Sequence, residues 1–213
     1  NVTEDSGQDW LIWQGKTDTE NTGPNADVSQ LGKYIYIENN PQLCGINNQV
    51  ILQSTCMDIR SNPSGCDMSF YYNMYGSDIN TLILEISLDN ERTWQALTSI
   101  SGNQGEAWKR KTISLSPYHQ KSGIFRFKAK TGAGALADIA IDQIEFYNSM
   151  PLQNTDTYYL DQDQDGYGTD AQKVEICTSI VPQGYTTLGG DCDDLNNNIH
   201  PNATEIQCNT IDE

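Results

Sequence analysis

Residues 153–213 hold 12 acids against one base, Lys173, a net charge of −11. Nothing constrains this chain more, because so charged a segment repels itself unless cations neutralise it. The acids are spaced rather than blocked. One group reads Asp161-Gln162-Asp163-Gln164-Asp165-Gly166, and a second runs from Asp191-Cys192-Asp193-Asp194 to Glu205. Carboxylates and amides at every second position beside a glycine make an oxygen cage for a hard cation. Calcium takes six to eight oxygens, and a twelve-residue loop supplies them from positions 1, 3, 5, 7, 9 and 12. Counted from Asp194, Asn196 is third, Asn198 fifth, His200 seventh, Asn202 ninth and Glu205 twelfth. Ile199 takes the sixth place, where glycine normally permits the turn. The loop from Asp161 has Gln172 at its twelfth place, so its bidentate carboxylate must come from elsewhere, and Asp191 or Asp193 could supply it. The two loops would then fold together around at least two Ca2+ ions. The expected ligands are Asp161, Asp163, Asp165, Asp191, Asp193, Asp194, Asn196, Asn198 and Glu205. The backbone carbonyls of Tyr167 and of Ile199 or His200 complete the set.

The rest of the chain is milder: residues 1–152 carry 17 acids and 11 bases. No basic stripe is evident, Lys109-Arg110-Lys111 being the only basic run, so nucleic acid is not an expected partner. No run of apolar residues is long enough to insert in a membrane. The chain opens on a polar Asn-Val-Thr-Glu with no signal peptide, which reads as a piece cut from a larger secreted precursor. Six cysteines, at 44, 56, 66, 177, 192 and 208, include no Cys-x-x-Cys and no histidine pair nearby, which favours disulfides over zinc. Three fall in each part, so at least one in each lacks a partner within its own part.

Up to residue 148 the chain alternates as strands do. The clearest runs are Tyr34–Glu38, Val50–Gln53, Met68–Tyr75, Thr81–Leu88, Lys111–Leu115, Gly123–Ala129 and Asp138–Asp142, rich in Ile, Tyr, Phe and Thr. Turn signals at Gly32, Asn62-Pro63, Gly76, Asp89-Asn90, Gly102-Asn103 and Gly132-Ala-Gly134 separate them. The expectation is an all-β sandwich or barrel over residues 1–150. A linker comes next, at 148–156, and then a small loop-rich domain, residues 151–213, too poor in apolar residues to fold without metal or disulfide staples.

Several segments resemble the MAM domain of meprins, neuropilins and mu-type receptor phosphatases. They are Thr22-Gly23-Pro24-x-x-Asp27, Gly32-Lys-Tyr34-Ile-Tyr36-Ile-Glu38, Phe70-x-Tyr72-x-Met74-Tyr75-Gly76, Gly102-Asn-Gln-Gly105-x-x-Trp108 and Asp138-Ile-Ala-Ile-Asp142. The resemblance implies a jelly-roll β-sandwich used in adhesion and protein association. Leu52-x-Ser54-x-Cys56-Met-Asp58-Ile is similar to the bacterial version found in secreted Bacteroidetes proteins. The family's opening Phe-Glu strand and late cysteine are not matched. Cys44–Cys56 is then the expected pair, and Cys66 has no partner implied. Jelly rolls of this kind hold one structural calcium beside such a strand, which points to Asp138 and Asp142, with Asp27 completing that same site. The tail resembles the bacterial metal-binding repeat named after the MopE protein and, more loosely, thrombospondin type 3 repeats. That likeness rests on Tyr158–Gly168, Gly190–Asp194, Pro201–Glu205 and Cys208–Asp212. The repeat's name mentions copper, but oxygen ligands suit calcium, and His200 is the only imidazole near.

No nucleophile, base or phosphate-binding motif marks an active site. His119 reads as a solvated loop residue, and the paired carboxylates read as metal ligands. Trp10, Trp13, Trp94 and Trp108, with eleven tyrosines, could build a sugar-stacking face. Trp94, close to a turn, is the better candidate for exposure, whereas Trp108, Tyr34 and Tyr36 fall where the family packs its core. The expected protein is non-enzymatic: a calcium-binding accessory segment of a secreted protein, extracellular or at the cell surface. It would associate with its own parent polypeptide or an extracellular protein, with the tail as a calcium-rigidified spacer. The alternative is a carbohydrate-binding module that targets a secreted polysaccharide-degrading enzyme or protease to a glycan.

Overall fold

A computed structural model describes residues 9–39, 48–59, 67–119, 121–147, 150–151, 156–177 and 180–203. The strands of the first part are β1 (Leu11–Trp13), β2 (Tyr34–Ile37), β3 (Gln49–Asp58), β4 (Asp67–Met74), β5 (Thr81–Ser87), β6 (Gln95–Ser101), β7 (Gly105–Ser114), β8 (Ser122–Lys130), β9 (Ile139–Tyr147) and β10 (Met150–Pro151). They form two five-stranded sheets, ordered β1-β2-β9-β4-β7 and β10-β3-β8-β5-β6, antiparallel at every pairing. The all-β sandwich is therefore the observed architecture. A third sheet, ordered β12-β11-β13, belongs to the acidic part: β11 (Asp156–Leu160), β12 (Thr169–Ile176) and β13 (Tyr185–Thr186).

Alternation explains the sandwich. In β8, Phe125, Phe127 and Ala129 point inward and are buried, while Arg126, Lys128 and Lys130 point outward. Leu82, Leu84 and Ile86 of β5 and Val50 of β3 join them from the same sheet, and Met68, Phe70, Met74, Ile139 and Ile141 meet them from the other. The sheets interlock through aromatic edges, with Phe70 and Phe127 ring centroids 4.8 Å apart and Phe125 and Phe146 5.0 Å apart. Each such side chain contributes roughly 1.5–3 kcal/mol by burial.

The first sheet also buries part of its outer face. Tyr34, Tyr36 and Ala140 form a second cluster with Trp13 and Trp108, so the family-pattern aromatics do pack inside. The 14–33 loop is stitched across this face. Tyr34 donates its hydroxyl to Gly15 O, Trp108 donates Nε1–H to Ala26 O, and Val28 N–H donates to Asp142 Oδ2 at 2.9 Å.

Two expectations need correcting. Cys56 does not pair with Cys44; it is bonded to Cys177. The reason is register. A bulge between Gln53 and Cys56 sets Cys56 opposite Ile124 on the outer face of its sheet, where the end of β12 arrives. Cys44, Cys66 and Cys208 lie outside the described residues. The 148–156 linker contains a strand, since Met150 and Pro151 pair with Asp58 and Met57. The loop-rich acidic part carries a small sheet of its own, in which β11 pairs with β12 from Asp156↔Ile176 to Leu160↔Thr169.

Candidate metal centre

Two loops meet beside the third sheet. The first, Asp161–Gly166, leaves β11 and turns back at Gly166, whose φ of 96° is open to glycine at little cost. The second, Asp191–Asp194, is brought alongside by backbone pairing. Gly168 bridges Gly189, Gly168 N–H donates to Leu188 O, and Asp191 N–H donates to Gly168 O at 3.2 Å.

Each acid is aimed by a backbone donor. Asp161 Oδ2 accepts from Gly166 N–H, Asp163 Oδ1 from Asp165 N–H, Asp165 Oδ1 from Tyr167 N–H and Asp191 Oδ1 from Asp193 N–H. Asp194 Oδ1 accepts from Gln162 N–H at 2.9 Å, tying the second loop to the first. The second oxygens behave differently. Asp161 Oδ1, Asp163 Oδ2, Asp165 Oδ2 and Asp191 Oδ2 are buried and have no hydrogen-bond partner. Asp161, Asp163 and Asp165 offer ligand atoms within 4.8 Å of one another, and so do Asp163, Asp191 and Asp194. Asp163 belongs to both groups. Inward oxygens without donors are costly unless a cation meets them, and an all-oxygen set suits calcium rather than a soft metal.

The electrostatics agree. Burial holds the Asp163 carboxyl above its ordinary range, opposed by the Asp165 N–H and reinforced by the charges of Asp165, Asp194 and Asp161. Asp191 is raised in the same way, by burial first and then by Asp165, Asp163 and Asp194 against the Asp193 N–H.

The structure shows the following contacts for the other expected ligands. Asp193 is exposed, and its carbonyl accepts from Leu195 and Asn196 N–H in a turn. Asn196 Oδ1 accepts from Asn198 N–H and Nδ2, so these two amides serve each other. Ile199 N–H donates to Asn196 O. His200 stacks on Tyr167 with ring centroids 5.1 Å apart and planes at 10°, and its Nδ1 accepts from Asn202 N–H. Asn202 Nδ2 donates to the Tyr167 hydroxyl. Glu205 lies outside the described residues.

The three acids proposed for the sandwich also separate. Asp27 accepts from Ser29 N–H, Ser29 Oγ and Gly32 N–H, chiefly the hydroxyl bond holding its pKa down against burial. Asp142 accepts from Val28 and Gln143 N–H. Both are loop stitches. Asp138 is fully buried; its Oδ1 accepts from Asn39 N–H at 3.1 Å, while its Oδ2 has no partner. Burial first, then the charges of Glu38 and Asp18, push its carboxyl up to about 7 against the Asn39 N–H. Gly23, with φ of 64°, packs beside this carboxyl: an added Cβ would come within 2.5 Å of Thr17 Oγ1 and 3.1 Å of Asp138 Oδ2. Sequence reasoning missed Thr17, Thr22, Glu38 and Asn39 as the neighbours of Asp138. They come from separate segments, and no spacing announces them.

The family model described as MAM domain, meprin/A5/mu matches residues 1–151. Neuropilin-1a of Danio rerio is 28% identical over 71% of this chain and 16% of its own length. MAM domain-containing glycosylphosphatidylinositol anchor protein 2 of Homo sapiens is 37% identical over 59% of this chain and 14% of its own. The chain thus spans about a sixth of the length of these relatives. Among solved structures, the K1 cleaved adhesin domain of Lys-gingipain from Porphyromonas gingivalis W83 aligns with a TM-score of 0.48 and 16% identity, over 68% of this chain and 86% of that one. No enzyme family is indicated by the family match or by these curated relatives. No helix among the described residues is long and apolar enough to cross a membrane.

Proposed function

Because the chain belongs to the MAM domain family, we propose that it is a non-catalytic association module of a larger extracellular protein, carrying a calcium-rigidified appendage. The sandwich supplies the surface that docks onto the parent polypeptide or another extracellular protein. The appendage, residues 156–203, holds two Ca2+ ions that share Asp163. The observation that carries this reading is the set of four buried carboxylate oxygens without donors, on acids whose other oxygens are fixed by backbone N–H groups. Calcium supplies the missing positive charge and fills that space; Asp161, Asp163, Asp165, Asp191 and Asp194 hold it. Asp138 is the anchor of a further Ca2+ under the 14–33 loop, with Glu38 and Thr17 beside it in place of Asp27 and Asp142.

Secretion fits the Cys56–Cys177 disulfide, which persists in an oxidising compartment. The segments that resemble bacterial MAM versions and the MopE repeat support reading the parent as a secreted bacterial protein. Calorimetry with calcium on chelator-treated protein tests the reading. The expected result is saturable binding at more than one site, with protease resistance of residues 156–203 gained on calcium addition. No heat above background, or equal digestion with and without calcium, overturns it.

A further inference from the structure

The outward face of the β10-β3-β8-β5-β6 sheet carries charge of the opposite sign to the molecule. Arg126, Lys128 and Lys130 succeed one another along β8 at every second residue, about 6.6 Å apart. They are hidden in the sequence because Phe127 and Ala129 separate them, so no basic run is visible. Glu85 of β5 accepts from Arg126 Nε at 2.7 Å and from Lys128 Nζ at 2.8 Å. Glu85 and, at the far end of the same face, Asp58 opposite Ser122 set two carboxylates against three cations, which leaves the row positive in a chain of net charge −17.

An aromatic plate adjoins the row. The Arg126 guanidinium lies 3.8 Å from the Trp94 ring centroid, so the indole is pinned to β8 by a cation–π contact. Arg126 is itself locked by Glu85, and its side chain is only 18% exposed. Trp94 keeps partial exposure, and Ile51 and Ile83, opposite Lys128, are half-buried on the same face. Lys130 at the end of the row is exposed. A rigid indole beside ordered cations fits a ligand with apolar ring faces and regularly placed carboxylates.

We propose that this face binds an acidic polysaccharide, a uronate-bearing chain whose sugar rings lie on Trp94 and whose carboxylates pair with Lys128 and Lys130. Charge complementarity selects the occupant. The acidic appendage is bonded to this same face at Cys56, opposite Ile124, so the attraction for a polyanion belongs to the Arg126–Lys130 end of β8. The cations alone would accept an acidic peptide equally well; the pinned indole is what favours sugar rings. This inference does not depend on the calcium cage.

The test is affinity electrophoresis of the full chain in gels containing polygalacturonate, dextran or poly-glutamate, with calcium held constant. Retardation is expected in polygalacturonate alone, and it should weaken as salt is raised. Trp94→Ala should cut the affinity about tenfold. Lys130→Glu, an exposed change that leaves the core untouched, should do so with an unchanged melting temperature. Asp163→Asn should leave retardation intact, which separates this face from calcium bridging at the cage. Four results overturn the proposal. They are no retardation, retardation by dextran as well, equal retardation by poly-glutamate, or retardation indifferent to both Trp94→Ala and Lys130→Glu.

Discussion

Cys56 and Cys177 are joined across 121 residues, from β3 of the sandwich to the end of β12 in the acidic appendage. The bond crosses the C-terminal boundary of the MAM match, which ends at residue 151. A cross-link closing so long a loop restricts the unfolded chain, and removing one costs roughly 2–5 kcal/mol. Replacing both cysteines by serine should lower the denaturant midpoint accordingly. It should also leave the appendage digested faster than the sandwich. An unchanged midpoint would mean that packing alone holds the two parts together.

Asp163 sits in both acid groups, whereas Asp193 is exposed and belongs to neither. Asp163→Asn should therefore weaken calcium binding at both positions of the appendage, and Asp193→Asn should change it little. Titration calorimetry on the two variants reads the difference directly. Equal losses would show that Asp163 is not shared between two ions.

Protons compete with the metal in this cage. Asp163 and Asp191 have raised carboxyl pKa values, so they begin to protonate at higher pH than ordinary carboxylates. Calcium affinity should fall steadily as pH is lowered through that raised range. The chelator-treated protein should show the opposite trend in stability. Asp138 titrates near 7 when folded against an ordinary value of 3.8, so the folded state holds a proton in that window and the unfolded state does not. Without metal, stability is lost as pH rises from the lower value through the upper one. Melting in chelator at about pH 5 and about pH 8 should show the protein less stable at the higher value. Asp138→Asn should flatten that dependence, and calcium should remove it.

Gly23 has φ of 64°, and a Cβ there would press on Thr17 Oγ1 at 2.5 Å. Gly23→Ala should destabilise the sandwich by roughly 1–3 kcal/mol through backbone strain and the displaced loop. Gly102→Ala is the comparison: its φ is 70°, but nothing lies within 4 Å of the added carbon. Thermal melts of both separate strain from crowding, and the larger loss should be at Gly23.

The strands with strict alternation were legible. Tyr34–Ile37, Thr81–Ser87 and Ser122–Lys130 form where the Ile, Phe and Tyr spacing puts them, because one buried face demands a period of two. β6 and β12 were not. Gln95–Ser101 buries only Ile100, and Thr169–Ile176 buries none of its residues, so neither carries a pattern to read. Their place is set by neighbours: β6 by pairing with β5, and β12 by pairing with β11.

By itself the sequence determined that the first part is all-β, a sandwich or a barrel, and that the second gathers acids at the spacing of a hard-cation cage. Composition and local period are enough for both, since burial and charge neutralisation act on whole segments. Only the tertiary structure decided which residues meet. Asp194 turns to Gln162 and the Asp161 loop, and Asp138 faces Asn39 rather than Asp27. Cys56 finds Cys177, and Trp94 lies on Arg126. Each of these contacts depends on a bulge, a strand register or a bridge between distant segments. Such geometry is fixed by the simultaneous packing of the sheets, and no local spacing encodes it.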